Sequence, residues 1–159
     1  MSATPPEREL PPCEFFGRYR IRSDEKGRYT LPSLLRRALP TGVKPLFLLR
    51  QGTDDPFIQM IPLHEWNALQ QRRESVGDLK GRDLRWAQRT FKGGVDPVQL
   101  DPKGRFSAAN ELLEKNGISD EILVQGVGKV LELWDPTTFF QLLEKNAMDP
   151  KDVDDLLYG

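Results

Sequence analysis

The chain is poor in the residues from which most small catalytic and metal sites are built. Its 159 residues include one cysteine, Cys13, and one histidine, His64. A single cysteine excludes an intrachain disulfide and a thiolate zinc cage, and a single histidine excludes a multi-histidine metal centre. No apolar run approaches the ~20 residues that a membrane-spanning helix needs, so no transmembrane segment is expected. The opening MSATPPERELPPCEFF is Pro-rich and polar, with no basic stretch leading into an apolar one. No secretory signal is read there, and a cytoplasmic location is expected. His64 falls in the first turn of an expected helix beside Glu65, and adjacent helical residues do not face each other. Cys13 lies in a stretch, 1–13, expected to be disordered and far from any base. Gly93-Gly94 and the pair Gly126 and Gly128 lack the pattern of a phosphate-binding loop. No catalytic residue, cofactor or metal site is therefore assigned.

What is present is enough apolar material for a packed interior, 38% of the chain against 30% charged. Net charge is −1, and the average hides a gradient. Residues 1–95 carry 17 Lys/Arg and 11 Asp/Glu, whereas residues 96–159 carry 6 and 13. Such asymmetry suggests one region that seeks an anion, with the acidic end a solvated face.

An internal repeat organises the chain. RSDEKGRYTLPSLLRRALPTG, from Arg22 to Gly42, returns as QLDPKGRFSAANELLEKNG, from Gln99 to Gly117. At an offset of 77, Asp24 falls on Asp101, Lys26 on Lys103, Gly27 on Gly104, Arg28 on Arg105 and Tyr29 on Phe106. Each copy continues into an apolar strand (Pro45–Leu49, Glu121–Val124), a glycine, a second strand (Phe57–Ile61, Val130–Trp134) and a helix start. The turns have a physical reading. Asp24 and Asp101 open a tight reversal in which a short carboxylate accepts nearby backbone N–H groups. Gly27 and Gly104 supply the positive φ that the reversal needs. Lys26, Arg28, Lys103 and Arg105 are then carried on two hairpins. Taken one at a time, the same motifs also read as plain turns with Arg bridging back to Asp.

Between and after the copies the pattern is helical. Pro62–Glu74 and Asp78–Phe91 read as helices, and Asp135-Pro136 and Asp149-Pro150 each set an N-cap followed by Pro at the first helical position. Trp66, Trp86 and Trp134 read as core or subunit contacts.

One strand differs from this scaffold. In Phe16–Arg22 the arginines alternate, so period two places Arg18, Arg20 and Arg22 on one face and Tyr19 and Ile21 on the core face. The strand feeds the hairpin with Lys26 and Arg28, and Arg36 and Arg37 follow after Pro32. Seven cations thus fall within 20 residues. Guanidinium groups reach phosphate oxygens and guanine edges alike, so a DNA-facing surface is expected; an edge strand protected by charge is the alternative. At the 77 offset, Arg18, Arg20 and Arg22 become Val95, Pro97 and Gln99, and Arg36 and Arg37 become Leu113 and Glu114. The first copy is therefore expected to make most contacts and the second to complete the fold.

At these residues the chain resembles a known family. DEKGRYTLPSLLRR is similar to the AbrB-type DNA-binding signature, and two such units closing in QMIPLHEWNAL and LELWDPTTFF resemble the MraZ family of transcriptional regulators. The likeness runs from Phe15 to Leu143, with Ala109 where the signature has proline. The resemblance implies an α+β fold in which two tandem AbrB-like units form one pseudo-symmetric, swapped-hairpin β-barrel with flanking helices. The implied layout is an arm (1–13), a first unit (14–66), a helical connector (67–93), a second unit (94–143) and a C-terminal helix or tail (144–159). It also implies a nucleoid-associated, non-enzymatic regulator of a division and cell-wall gene cluster. Its partner would be double-stranded DNA at short direct repeats upstream of its own operon, bound as a closed homo-oligomeric ring without small-molecule substrate or membrane. Asp24 with Arg28, and Asp101 with Arg105, are the residues carried over, the aspartates shaping the loops and the basic residues reaching DNA. An AbrB-fold antitoxin-like protein with a protein partner is the other reading, and a purely structural oligomer a third.

Overall fold

Residues 9–74 and 81–159 are described by a computed structural model, and their strands pair across the two repeats. Strand β1 (Arg18–Arg22) runs antiparallel to β7 (Glu121–Gly126), with Arg20 opposite Leu123. The equivalent strand of the second copy, β5 (Asp96–Gln99), runs antiparallel to β3 (Leu46–Gln51), with Pro97 opposite Leu48. Each repeat thus gives its first strand to the other. Between them β4 (Ile58–Pro62) pairs with β8 (Leu131–Trp134), completing the order β1-β7-β8-β4-β3-β5. The short strands β2 (Tyr29–Thr30) and β6 (Arg105–Phe106) form a separate two-stranded ribbon. There Tyr29 lies opposite Phe106, its own equivalent in the repeat, so the pseudo-twofold axis passes between them.

The fold is α+β as expected, but the expected barrel does not close. Among the described residues β1 and β5 are the two edges of an open sheet, and the ribbon bonds to neither. Both edges are blunted chemically. Pro97 has no N–H to offer a further strand, and β1 carries three arginines.

One sheet face and the ribbon enclose the main core, in which Tyr29, Leu31 and Leu35 of the first copy meet Phe106, Leu113 and Ile118 of the second. Tyr19 and Ile21 pack against it, as the alternation in β1 requires. The opposite face carries a smaller cluster of Phe57, Leu123, Trp134 and Phe139 under helix α5 (Pro136–Lys145). That helix begins as its sequence demands: Asp135 accepts hydrogen bonds from Thr138 N (3.0 Å) and Oγ1 (2.9 Å), and Pro136 follows. Asp149 caps α6 (Pro150–Tyr158) in the same manner, accepting from Lys151 N at 2.9 Å.

Helices α1 (Ser33–Arg36) and α4 (Asn110–Lys115) follow the two ribbon strands. Just past α4, the buried Asn116 exchanges two 2.8 Å amide hydrogen bonds with Gln51 of β3, satisfying both side chains. Helices α2 (Leu63–Glu74) and α3 (Gly81–Gly93) connect the repeats. The first expected helix starts one residue late because Pro62 ends β4; positions 78–80 of the second lie outside the described residues. So do residues 1–8 of the arm. The end of that arm is not free of the fold: Leu10 packs on the core, and Cys13 N donates to Ala38 O at 2.8 Å. Among the described residues no helix is long and apolar enough to cross a membrane.

Candidate nucleic-acid interface

The two hairpins are built by one carboxylate each. Asp24 Oδ1 accepts from the backbone N–H of Lys26 (2.9 Å) and Arg28 (2.8 Å), while Oδ2 accepts from Arg28 Nε at 2.8 Å. Asp101 repeats the arrangement, with Lys103 N at 2.9 Å, Arg105 N at 2.8 Å and Arg105 Nε at 2.6 Å. Each aspartate N–H also bonds the arginine carbonyl, closing the loop. Gly27 (φ +75°) and Gly104 (φ +79°) occupy the left-handed position the turn requires. The loop-shaping role expected of the aspartates and the Asp–Arg bridge are therefore the same structure. Backbone N–H donation by Arg28 and Arg105, helped by their guanidinium groups, holds both carboxyls below their ordinary 3.8. With Nε pinned, each guanidinium keeps its terminal nitrogens for an external acceptor. Lys26 and Lys103 are exposed and have no ion-pair partner among the described residues.

Antiparallel pairing of β2 with β6 sets the two hairpins at opposite ends of one ribbon. They flank the β2–β6 ribbon, where Thr30 lies opposite Arg105 and Leu31 N donates to Gly104 O at 2.9 Å. Arg36, on α1 of the first copy, rests against the second hairpin. A Cβ on Gly104 would stand 2.5 Å from Arg36 Nε, which donates to Leu31 O at 2.9 Å. Nothing lies within 4 Å of a Cβ built on Gly27. Arg37 is exposed beside Arg36 and is itself engaged in a side-chain contact.

The strand arginines lie elsewhere. Arg18, Arg20 and Arg22 share the exposed face of β1, as period two predicts, but that face borders α5 and the acidic end of β7. Arg18 Nε donates to Gln125 Oε1 at 2.7 Å, and its guanidinium stands 5.3 Å from the Phe139 ring. Arg20 pairs with Glu121 at 3.1 Å and stands 5.6 Å from the Phe140 ring. Arg22 reaches Glu121 at 3.4 Å and Asp120 at 4.0 Å. These partners come from about 100 residues away, so no sequence spacing points to them. The three side chains stay largely in solvent, where pairs of this kind contribute little.

An open groove lined by Arg36, Arg37, Asp101, Pro102 and Gly104 adjoins the second hairpin. Among the described residues no group of three or more His, Cys, Asp or Glu is placed to hold a metal ion. Trp134 is buried against Phe57, Trp66 stacks on Phe91 at 5.1 Å, and Trp86 is half exposed.

A family model described as "MraZ protein, putative antitoxin-like" matches residues 91–156. A protein of Dehalococcoides mccartyi named Transcriptional regulator MraZ is 34% identical over 125 residues, covering 79% of this chain and 84% of its own. Proteins of the same name from Christiangramia forsetii and Erwinia tasmaniensis are 28% and 26% identical. The former alignment covers 90% of this chain and 92% of the relative, the latter 83% and 86%.

Proposed function

The chain belongs to the MraZ family, and on that premise we propose that it is a transcriptional regulator that grips double-stranded DNA with its two Asp-x-x-x-Arg hairpins. The observation that carries this reading is the pair of loops with one hydrogen-bond pattern on one ribbon, each offering an unpaired lysine and a pinned arginine. Lys26, Arg28, Lys103 and Arg105 contact phosphate or base edges. Asp24 and Asp101 fix the loop that aims them, since a carboxylate facing phosphate would be repelled. Arg36 supports the second hairpin. Arg37 and the β1 face of Arg18, Arg20 and Arg22 add positive potential beside the main contacts.

The DNA target we infer is a set of short direct repeats upstream of the protein's own operon, in a division and cell-wall gene cluster. The protein works in the cytoplasm on the nucleoid, and it needs no cofactor. Several chains form a closed ring, so that modest contacts per subunit multiply through effective concentration. Its two halves are read as AbrB-like units.

Fluorescence anisotropy tests this with a duplex from upstream of the gene and a scrambled duplex of equal length. Tighter binding to the native duplex, lost in Arg28→Ala, is expected. Equal, weak binding to both, unchanged by the substitution, would sink the reading. A second reading, an antitoxin-like protein with a protein partner, draws on the family description and on α6, where Leu156, Leu157 and Tyr158 are 72%, 66% and 84% exposed. Co-purification of a stoichiometric partner through α6 would favour it.

A further inference from the structure

Helix α3 carries a charge pattern that the hairpins do not use. Arg82, Arg85, Arg89 and Lys92 are spaced i, i+3, i+7 and i+10, which sets all four on one side of the helix along about 15 Å. All four are exposed. Arg89 stands over the Trp86 ring at 4.9 Å; Arg82, Arg85 and Lys92 have no acidic partner among the described residues. Like charges three and four apart destabilise an isolated helix, and the helix's one acid, Asp83, falls on a different side. The opposite side holds α3 to the body. Phe91 stacks on Trp66 of α2 at 5.1 Å, and the Arg50 guanidinium of β3 covers Phe91 at 5.2 Å. Phe91 thus ties α3 to the body, and the cationic side faces out.

We propose that this outer face of α3 is a second DNA-contacting surface, a stripe that holds the phosphate backbone beside the segment gripped by the hairpins. The inference rests on the DNA-binding reading above. A nucleic-acid backbone fits better than a protein, because interface cores between proteins are depleted in charge, the four charged side chains of this face are all cations, and the Trp86 beside them is covered by Arg89. Contact of this kind is sequence-independent: it positions the duplex and leaves discrimination to the hairpins.

The test uses the full-length chain with Arg82, Arg85, Arg89 and Lys92 all changed to Gln, beside Lys26→Ala/Arg28→Ala, on native and scrambled duplexes across a salt series. Circular dichroism and light scattering check the fold and the assembly mass. A companion carrying Arg82→Lys, Arg85→Lys and Arg89→Lys retains the charge. With about 0.9 in salt slope per phosphate contact, the Gln variant should lose about 3.6 of slope on both duplexes. Between 50 and 200 mM salt its affinity should therefore fall about 150-fold less than the wild type's. The native-to-scrambled ratio should stay unchanged, and the Lys companion should bind as the wild type does. A wild-type slope in the Gln variant, with the hairpin variant impaired, overturns the stripe alone. The same slope with a changed assembly mass overturns it in favour of a contact between copies. Failure of the wild type to bind either duplex overturns the stripe together with the reading it rests on.

Discussion

The two Asp-x-x-x-Arg hairpins have the same interior and different surroundings. In each, one carboxylate collects two backbone N–H groups and a guanidinium within 2.9 Å, over a glycine at φ near +75° to +79°. Outside the loop they diverge. Gly27 is exposed with open space around it, whereas Gly104 is buried beneath Arg36 of the other repeat. A five-residue stretch with Asp at its first position and Gly at its fourth is enough to set the loop. The charge around the loop is set by tertiary exchange. The second copy, poor in cations when read along the chain, acquires Arg36 in space.

That comparison can be broken in several ways. The largest effects on DNA binding are expected from Asp24→Ala and Asp101→Ala. If the carboxylates were only negative charges near DNA, their removal would tighten binding; because they shape the loops, each should weaken binding about tenfold, the loss of one or two phosphate contacts. Anisotropy reads the sign directly. Next come the glycines, compared by denaturant midpoints. Gly27→Ala should cost about 1 kcal/mol for its left-handed backbone. Gly104→Ala should cost about 2 kcal/mol, because it also displaces Arg36 from its hydrogen bond to Leu31. Equal costs would mean that the Arg36 contact is incidental.

Smaller effects separate the strand from the hairpins. Arg20→Ala should lower stability by about 0.5 kcal/mol through its lost Phe140 and Glu121 contacts, and weaken DNA binding less than Lys26→Ala. The reverse order in the binding assay would move the DNA contact from loop to strand. The smallest effect lies in pH. A carboxylate whose pKa is lowered on folding contributes stability that is present above its unfolded pKa and lost as pH falls through the folded value. Both hairpins should therefore stay ordered through mildly acidic solution and loosen only below 3.8. Carbon-detected NMR titration of the two side-chain carboxyls should place both midpoints under that value, and a midpoint above it at either site would break the equivalence.

Much of this was legible in the chain because the relevant signals are local. The Asp, Gly and Arg of each turn lie within five residues, the alternation of β1 sorts its own faces, and Asp-Pro marks the starts of α5 and α6. What could not be read depends on pairing across the repeat. Nothing near Arg20 in sequence announces Glu121 or Phe140, and nothing near Gly104 announces Arg36. The open sheet escaped for a related reason: closure depends on whether two-residue strands bond to β1 and β5, and they bond to each other. The stripe on α3 is legible in its spacing, interleaved with the apolar positions Leu84, Ala87 and Phe91 of the same helix.

The most direct measurement compares Lys26→Ala/Arg28→Ala with Lys103→Ala/Arg105→Ala on the native upstream duplex, by anisotropy across a salt series. Equivalent hairpins predict that each pair lowers the salt slope by about 1.8 and weakens binding to a similar degree. A second-hairpin pair that binds as the wild type does, beside an impaired first-hairpin pair, would contradict this and leave the second repeat as scaffold.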